Sequence, residues 1–152
     1  MPHVGSAFVI TLGLAFAACA QPSLFTKDAL RDVEDNFDLS AWKSSPNASA
    51  GHTIKVGGRI VQADRTGGDV LIVGVQLPIV EHPAYGPIET GGRSDSFEFA
   101  LLFPGHIDAK ALSSGNRFIA VGLIQANDSG GSRRSPEDRT VAAHALHPYL
   151  EH

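Results

Sequence analysis

Sulfur is scarce in this chain: of 152 residues, one is cysteine, Cys19, and one is methionine. A single thiol excludes an internal disulfide and a cysteine-ligated zinc site. Cations are sparse too. Lys and Arg number 12 against 16 Asp and Glu, a formal charge of −4. That balance lacks the basic footprint that binding to nucleic acid calls for, so nucleic acid is not expected as a partner. Long apolar runs are missing as well. The charge-free stretch 4–18 falls short of the ~18–20 residues that a spanning helix needs. No Gly-x-Ser-x-Gly elbow, no HExxH pair and no phosphate-cradling glycine loop occurs, so neither a catalytic residue nor a bound cofactor is expected.

What is present begins at the N-terminus. Residues 1–18 carry no Asp, Glu, Lys or Arg and end Phe16-Ala17-Ala18, directly before Cys19. A core of this length fits a signal peptide. Two small residues followed by cysteine fit a lipoprotein cleavage site, with Phe16 standing where leucine is usual. Cys19 is then the expected lipid attachment residue, and acyl chains on it are the expected tie to a membrane. Each buried methylene contributes about 0.8 kcal/mol, so two or three chains hold a domain firmly. Ala20, rather than Asp, favours the outer membrane. The expected organisation is a signal peptide over 1–18, a lipid-anchored tether with a helix over 19–50, and a small β-barrel domain over 51–148.

Within the tether, Leu30, Val33, Phe37 and Ala41 recur at three- and four-residue spacing behind Thr26, a good N-cap. The pattern then changes to alternation. The strands expected are 53–62, 70–77, 96–103, 117–125 and, more weakly, 140–146. Gly57-Gly58 marks a bulge or a close backbone approach. Thr66-Gly67-Gly68-Asp69 reads as a turn, a proline-rich loop follows the second strand, and 108–112 reads as one helical turn between the third and fourth strands. The fold class expected is therefore mainly β: a small five- to six-stranded OB-like barrel with one short helix behind the signal segment.

Several runs together carry a resemblance. They are Lys55-Val56-Gly57-Gly58-Arg59-Ile60-Val61, Gln76-Leu77-Pro78, Gly92-Arg93 and the segment from Gly115-Asn116-Arg117-Phe118 to Ile124. Behind a signal ending Ala-Ala-Cys, their order resembles the starvation-inducible outer-membrane lipoprotein (Slp) family. The likeness covers the signal and residues 53–126. It implies an outer-membrane lipoprotein acylated at Cys19, with no catalytic residues; the anchored domain is expected to face the periplasm. Val56 stands where that family often has Trp, and the long aromatic tail of some members is missing.

The expected function is thus a non-enzymatic structural, stress-adaptive or partner-binding role in a bacterial envelope. The alternatives are an OB-like module for a glycan or peptide partner and an envelope hydrolase. The histidines His144, His147 and His152 lie near the C-terminus without metal-site spacing, and a solvated tail is the simpler account. His82 and His106 would need a carboxylate partner in space to act in hydrolysis. Trp42, Tyr85 and Tyr149 all fall outside the expected strands, which weakens the case for an aromatic binding face.

Overall fold

The computed structural model describes residues 23–79, 86–89, 96–127 and 135–150. The signal segment and Cys19 lie outside those residues, as do His82, Tyr85, Gly92, Arg93 and His152. Five strands make up the sheet: β1 (Thr53–Thr66), β2 (Asp69–Leu77), β3 (Glu98–Pro104), β4 (Arg117–Gln125) and β5 (Thr140–Tyr149). They close in the order β1-β2-β3-β5-β4, so no strand is left as an edge. Every neighbouring pair is antiparallel except β3 with β5. This is the OB-like barrel that the alternation implied.

Alternation explains the core. Ile54, Val56 and Ile60 of β1, Val70 and Ile72 of β2, Phe99 and Leu101 of β3, Phe118, Ala120 and Ile124 of β4, and Val141 and Ala143 of β5 are buried in one cluster. β1 is the longest strand and bends. Its register against β2 shifts between Ile60 and Gln62, so Val61 bulges out. A second shift lies between Val121 and Gly122 of β4, opposite His144. The bulge expected at Gly57-Gly58 is therefore displaced. Those glycines serve the other role, close approach: a Cβ on Gly58 would stand 2.7 Å from Phe118 Cζ.

The barrel is plugged by α1 (Leu39–Ser44), whose N-cap Asp38 accepts from the Ser40 and Ala41 amides at 2.9 and 3.3 Å. Trp42 on this helix is wholly buried and meets Phe97 edge-on at 5.0 Å and Phe99 at 5.6 Å. Arg139 clamps the plug, donating to the Lys43 carbonyl at 2.9 Å and lying 5.3 Å over the Phe97 ring.

The longer helix expected through 26–41 is broken. Thr26 does cap a turn, accepting from the Ala29 amide at 3.2 Å. Val33, however, bridges Thr53 in parallel, and the Glu34 amide donates to the Thr53 carbonyl at 2.9 Å. The free backbone acceptor at the first residue of β1 wins over a marginal helix, because short helices are weak without packing. The single turn after β3 is present: Lys110 and Ala111 amides donate to the Asp108 side chain and carbonyl at 2.8 and 3.0 Å.

Candidate functional site

Outside the barrel, Lys55, Gly57 and Arg59 form the outward row of β1, opposite in phase to the buried Ile54, Val56 and Ile60. On β4 the same row is Arg117, Ile119 and Val121, and on β5 it includes Tyr149, His147 and Ala145. Ile119 and Val121 are buried although they point away from the core cluster. A second, smaller apolar layer therefore covers this side. Part of it is the β2–β3 connection, which lies on Gly57: a Cβ there would meet Leu77 O at 2.8 Å and Ile79 Cγ1 and Pro87 Cγ at 3.0 Å.

At one end of this face, Arg59 pairs directly with Arg117 across β1 and β4, and Arg117 pairs with Tyr149 across β4 and β5. Like charges directly opposite repel, so such a pair persists where anionic or carbonyl oxygens offset it. Glu89 Oε1 lies 2.7 Å from Arg59 Nε, and Arg117 donates to the Pro87 carbonyl at 2.6 Å. The Glu89 contact is an ion pair without the alignment of a hydrogen bond, and Arg59 Nε stays buried and unsatisfied. Beside the guanidinium groups, His147 and Tyr149 meet edge to face at 4.8 Å. Gly86 packs against the Tyr149 ring, where a Cβ would stand 3.0 Å away. Burial pushes the Tyr149 phenol up from its ordinary 10.0, with Arg117 pulling the other way.

Next to this cluster, where residues 34–39 cross the end of β1 and β2, a cleft of about 460 Å³ opens. Phe37, Leu39, Leu77 and Ile79 supply apolar walls, and Lys55, Gln76, Glu34 and Asp35 supply polar groups. Glu34 holds His52 Nδ1 at 2.7 Å. The opposite side of the barrel is different. Leu71, Val73, Val75 and Leu102 form a half-buried aliphatic strip flanked by Asp64 and Glu98. That side offers no aromatic ring among the described residues.

The residues singled out from sequence are scattered. His144 sits at the β5 bulge with Nε2 2.9 Å from the Ala29 carbonyl oxygen, and His147 belongs to the ring pair. Neither is in a solvated tail: both lie within β5, which runs on to Tyr149. His106 touches Arg65 at 3.3 Å. Among the described residues, no three His, Cys, Asp or Glu side chains converge as metal ligands do. The Arg59–Arg117 pairing was not foreseen. The signal for it was an arginine inside two of the quoted runs, Arg59 and Arg117, but only the register shows that the two meet.

No family model matches this chain, and no curated protein matches it. Among the solved structures similar to it in fold are two single-stranded DNA-binding proteins. One is a small single-stranded DNA-binding protein from Streptomyces coelicolor, with 11% identity, covering 66% of this chain and 94% of that one, at a TM-score of 0.43. The other is the second single-stranded DNA-binding protein of Mycobacterium smegmatis, with 17% identity, 64% and 88% coverage and a TM-score of 0.39. Both are described as single-stranded DNA-binding proteins, not as lipoproteins. On that finding the expected outer-membrane lipoprotein role is corrected, together with the membrane and the glycan or peptide as its expected partners. The expectation that excluded nucleic acid as a partner is corrected as well. Its physical weakness was to use a sum: a net charge of −4 says nothing of where the cations stand, and the fold sets two arginines side by side.

Proposed function

We propose that this chain is an OB-type module that binds single-stranded nucleic acid at the Arg59–Arg117 end of the outer side of β1, β4 and β5, beyond the apolar layer that covers the rest of that side. The observation that carries the reading is the Arg59–Arg117 pair with the His147–Tyr149 rings beside it. Sequence-tolerant binding of single strands combines cations that track the backbone with flat side chains on which bases stack. Guanidinium groups hold phosphate oxygens in pairs and also stack on bases. The chain's net charge of −4 opposes a polyanion at long range. Binding is therefore expected to be weak at physiological salt, within ~10⁻⁴–10⁻⁶ M, and to tighten as salt is lowered.

Fluorescence anisotropy of a labelled single-stranded oligonucleotide, titrated at several salt concentrations, tests this. Arg117→Gln and Arg59→Gln should each weaken binding and reduce the slope of log K against log salt by about 1. An oligonucleotide that stays free at low salt with protein at ~10⁻⁴ M overturns the reading.

A separate proposal concerns descent alone. The likeness of residues 53–126 to the starvation-inducible family reflects a shared barrel ancestor. Homologues aligned so that Gly57-Gly58 and Asn116-Arg117 fall in that family's glycine and Asn-Arg columns would support it. Homologues that keep the barrel pattern but place neither pair there would overturn it.

A further inference from the structure

Gln76 lies near the end of β2, opposite Gly58, and is 9% exposed. Its backbone amide is used, donating to the Phe97 carbonyl at 2.8 Å. Its side-chain amide has no hydrogen-bond partner among the described residues, although a buried amide normally finds one. Nor is the amide sealed: Gln76 lines the cleft of about 460 Å³, and its side-chain atoms are not among the fully buried polar atoms without a partner. A nearly buried amide that opens into a hollow walled by both apolar and polar groups is placed to fix the orientation of a ligand seated there.

We propose that this cleft seats one base of the bound strand, and that it takes a base bearing an exocyclic amine, adenine in first place. The inference rests on the single-strand reading above. A carboxamide offers a donor and an acceptor side by side, and the adjacent amine and ring nitrogen of adenine complement both. Glu34 and Asp35 at the wall accept hydrogen bonds from amines and repel carbonyl oxygens, which disfavours thymine and uracil. Phe37, Leu39, Leu77 and Ile79 favour the larger purine through the area they cover. The two carboxylates also dictate which way round the nucleotide lies. Its phosphate must point away from them, toward Lys55. Lys55 and Arg59 share one row of β1, with Ile79 and Pro87 packed on Gly57 between them, so a strand leaving the cleft reaches the arginine pair by passing over those two side chains.

Anisotropy with homopolymeric dA, dC, dG and dT strands of equal length decides it, on the full chain and on Gln76→Leu and Gln76→Glu. The wild type should bind dA at least about 5-fold tighter than dT, the low end of what one bidentate base contact supplies. Gln76→Leu should bring dA to within about twofold of dT while leaving dT unchanged. Gln76→Glu keeps the shape of the side chain and loses the amide donor, so it should lose the same preference even if the leucine variant folds poorly. Circular dichroism melts identify a variant that has failed to fold. Equal binding of dA and dT by the wild type overturns the base pocket and leaves the arginine-pair reading standing. A preference that survives in both variants also overturns it. Binding of none of the four strands overturns both proposals together.

Discussion

Gly58→Ala is the substitution that most directly tests how the barrel closes. Gly58 lies between the cleft-side Gly57 and the anion-side Arg59, and its backbone needs no left-handed φ, so alanine is barred by contact alone. The new methyl would stand 2.7 Å from Phe118 Cζ and 3.0 Å from both Phe118 Cε1 and Val75 O. Phe118 has no obvious retreat. It is wholly buried, faces Phe99 at 6.0 Å, and is hemmed on its other flank by Gly74, where a Cβ would stand 3.1 Å from Cε1. Overpacking of this kind costs about 1–3 kcal/mol, and the lower entropy of an unfolded alanine returns about 0.4–1 kcal/mol. The net loss expected is about 1–2 kcal/mol. If the ring is the cause, Phe118→Leu should relieve it. The double variant should be more stable than the sum of the single losses predicts, by about 1 kcal/mol of coupling. Urea melts of the four proteins measure the cycle. Additivity within about 0.5 kcal/mol, or a Gly58→Ala protein more stable than the parent, would refute the claim that these glycines exist to admit the Phe118 ring.

Two further outcomes follow from the same packing and from the outer face. Trp42→Ala should cost about 3–5 kcal/mol, as removal of a large core ring does. Trp42→Phe should cost far less, because it also deletes the buried Nε1 that has no partner; equal losses in urea midpoint would show that the indole N–H is satisfied after all. Burial raises the Tyr149 phenol above 10.0, so the folded state prefers the neutral form. Its contribution is full below 10.0, the unfolded value, and is lost as pH climbs through the higher folded value. Tyr149→Phe should therefore flatten the fall in urea midpoint between about pH 9 and about pH 11, and an unchanged fall would contradict the assigned direction.

Most of the barrel is legible in the residue pattern, and for a plain reason. Strand β4, Arg117–Gln125, matches the expected 117–125 in full because both of its faces are apolar and turn residues stand at each end. β1 and β5 run past their expected ends, to Thr66 and Tyr149, where polar or proline-bearing residues are held by neighbouring strands rather than by their own propensity. The helix through 26–41 failed for the converse reason. Its periodicity was genuine, but Val33 and Glu34 found a better offer at Thr53. Trp42 was set aside as lying outside every strand, yet it is the largest of the wholly buried side chains. Period-two reasoning has no means of placing a residue that caps a barrel from a helix.

The candidate site was far less legible than the fold, and closure of the sheet explains the gap. Apart from Gln76 at the mouth of the cleft, the closed barrel uses its inward residues for packing, so the charged groups of the site come from the outward ones. Along a single strand those outward residues, such as Lys55 and Arg59, look like an ordinary solvated face. They gain meaning only through their cross-strand neighbours, and those neighbours are set by register. β1 and β4 are separated by 50 residues between their ends, Thr66 and Arg117 lying on different strands of the fold, yet the register places Arg59 against Arg117 and, one strand further, Arg117 against Tyr149. A shift of one residue in either pairing would turn these side chains inward and leave two guanidinium groups in the core, which the cost of burying unpaired charge forbids. The same alternation that packs Phe118 and Ile60 inside therefore compels Arg117 and Arg59 to meet outside. The site is a consequence of the core pattern, visible once the strands are paired and hidden before.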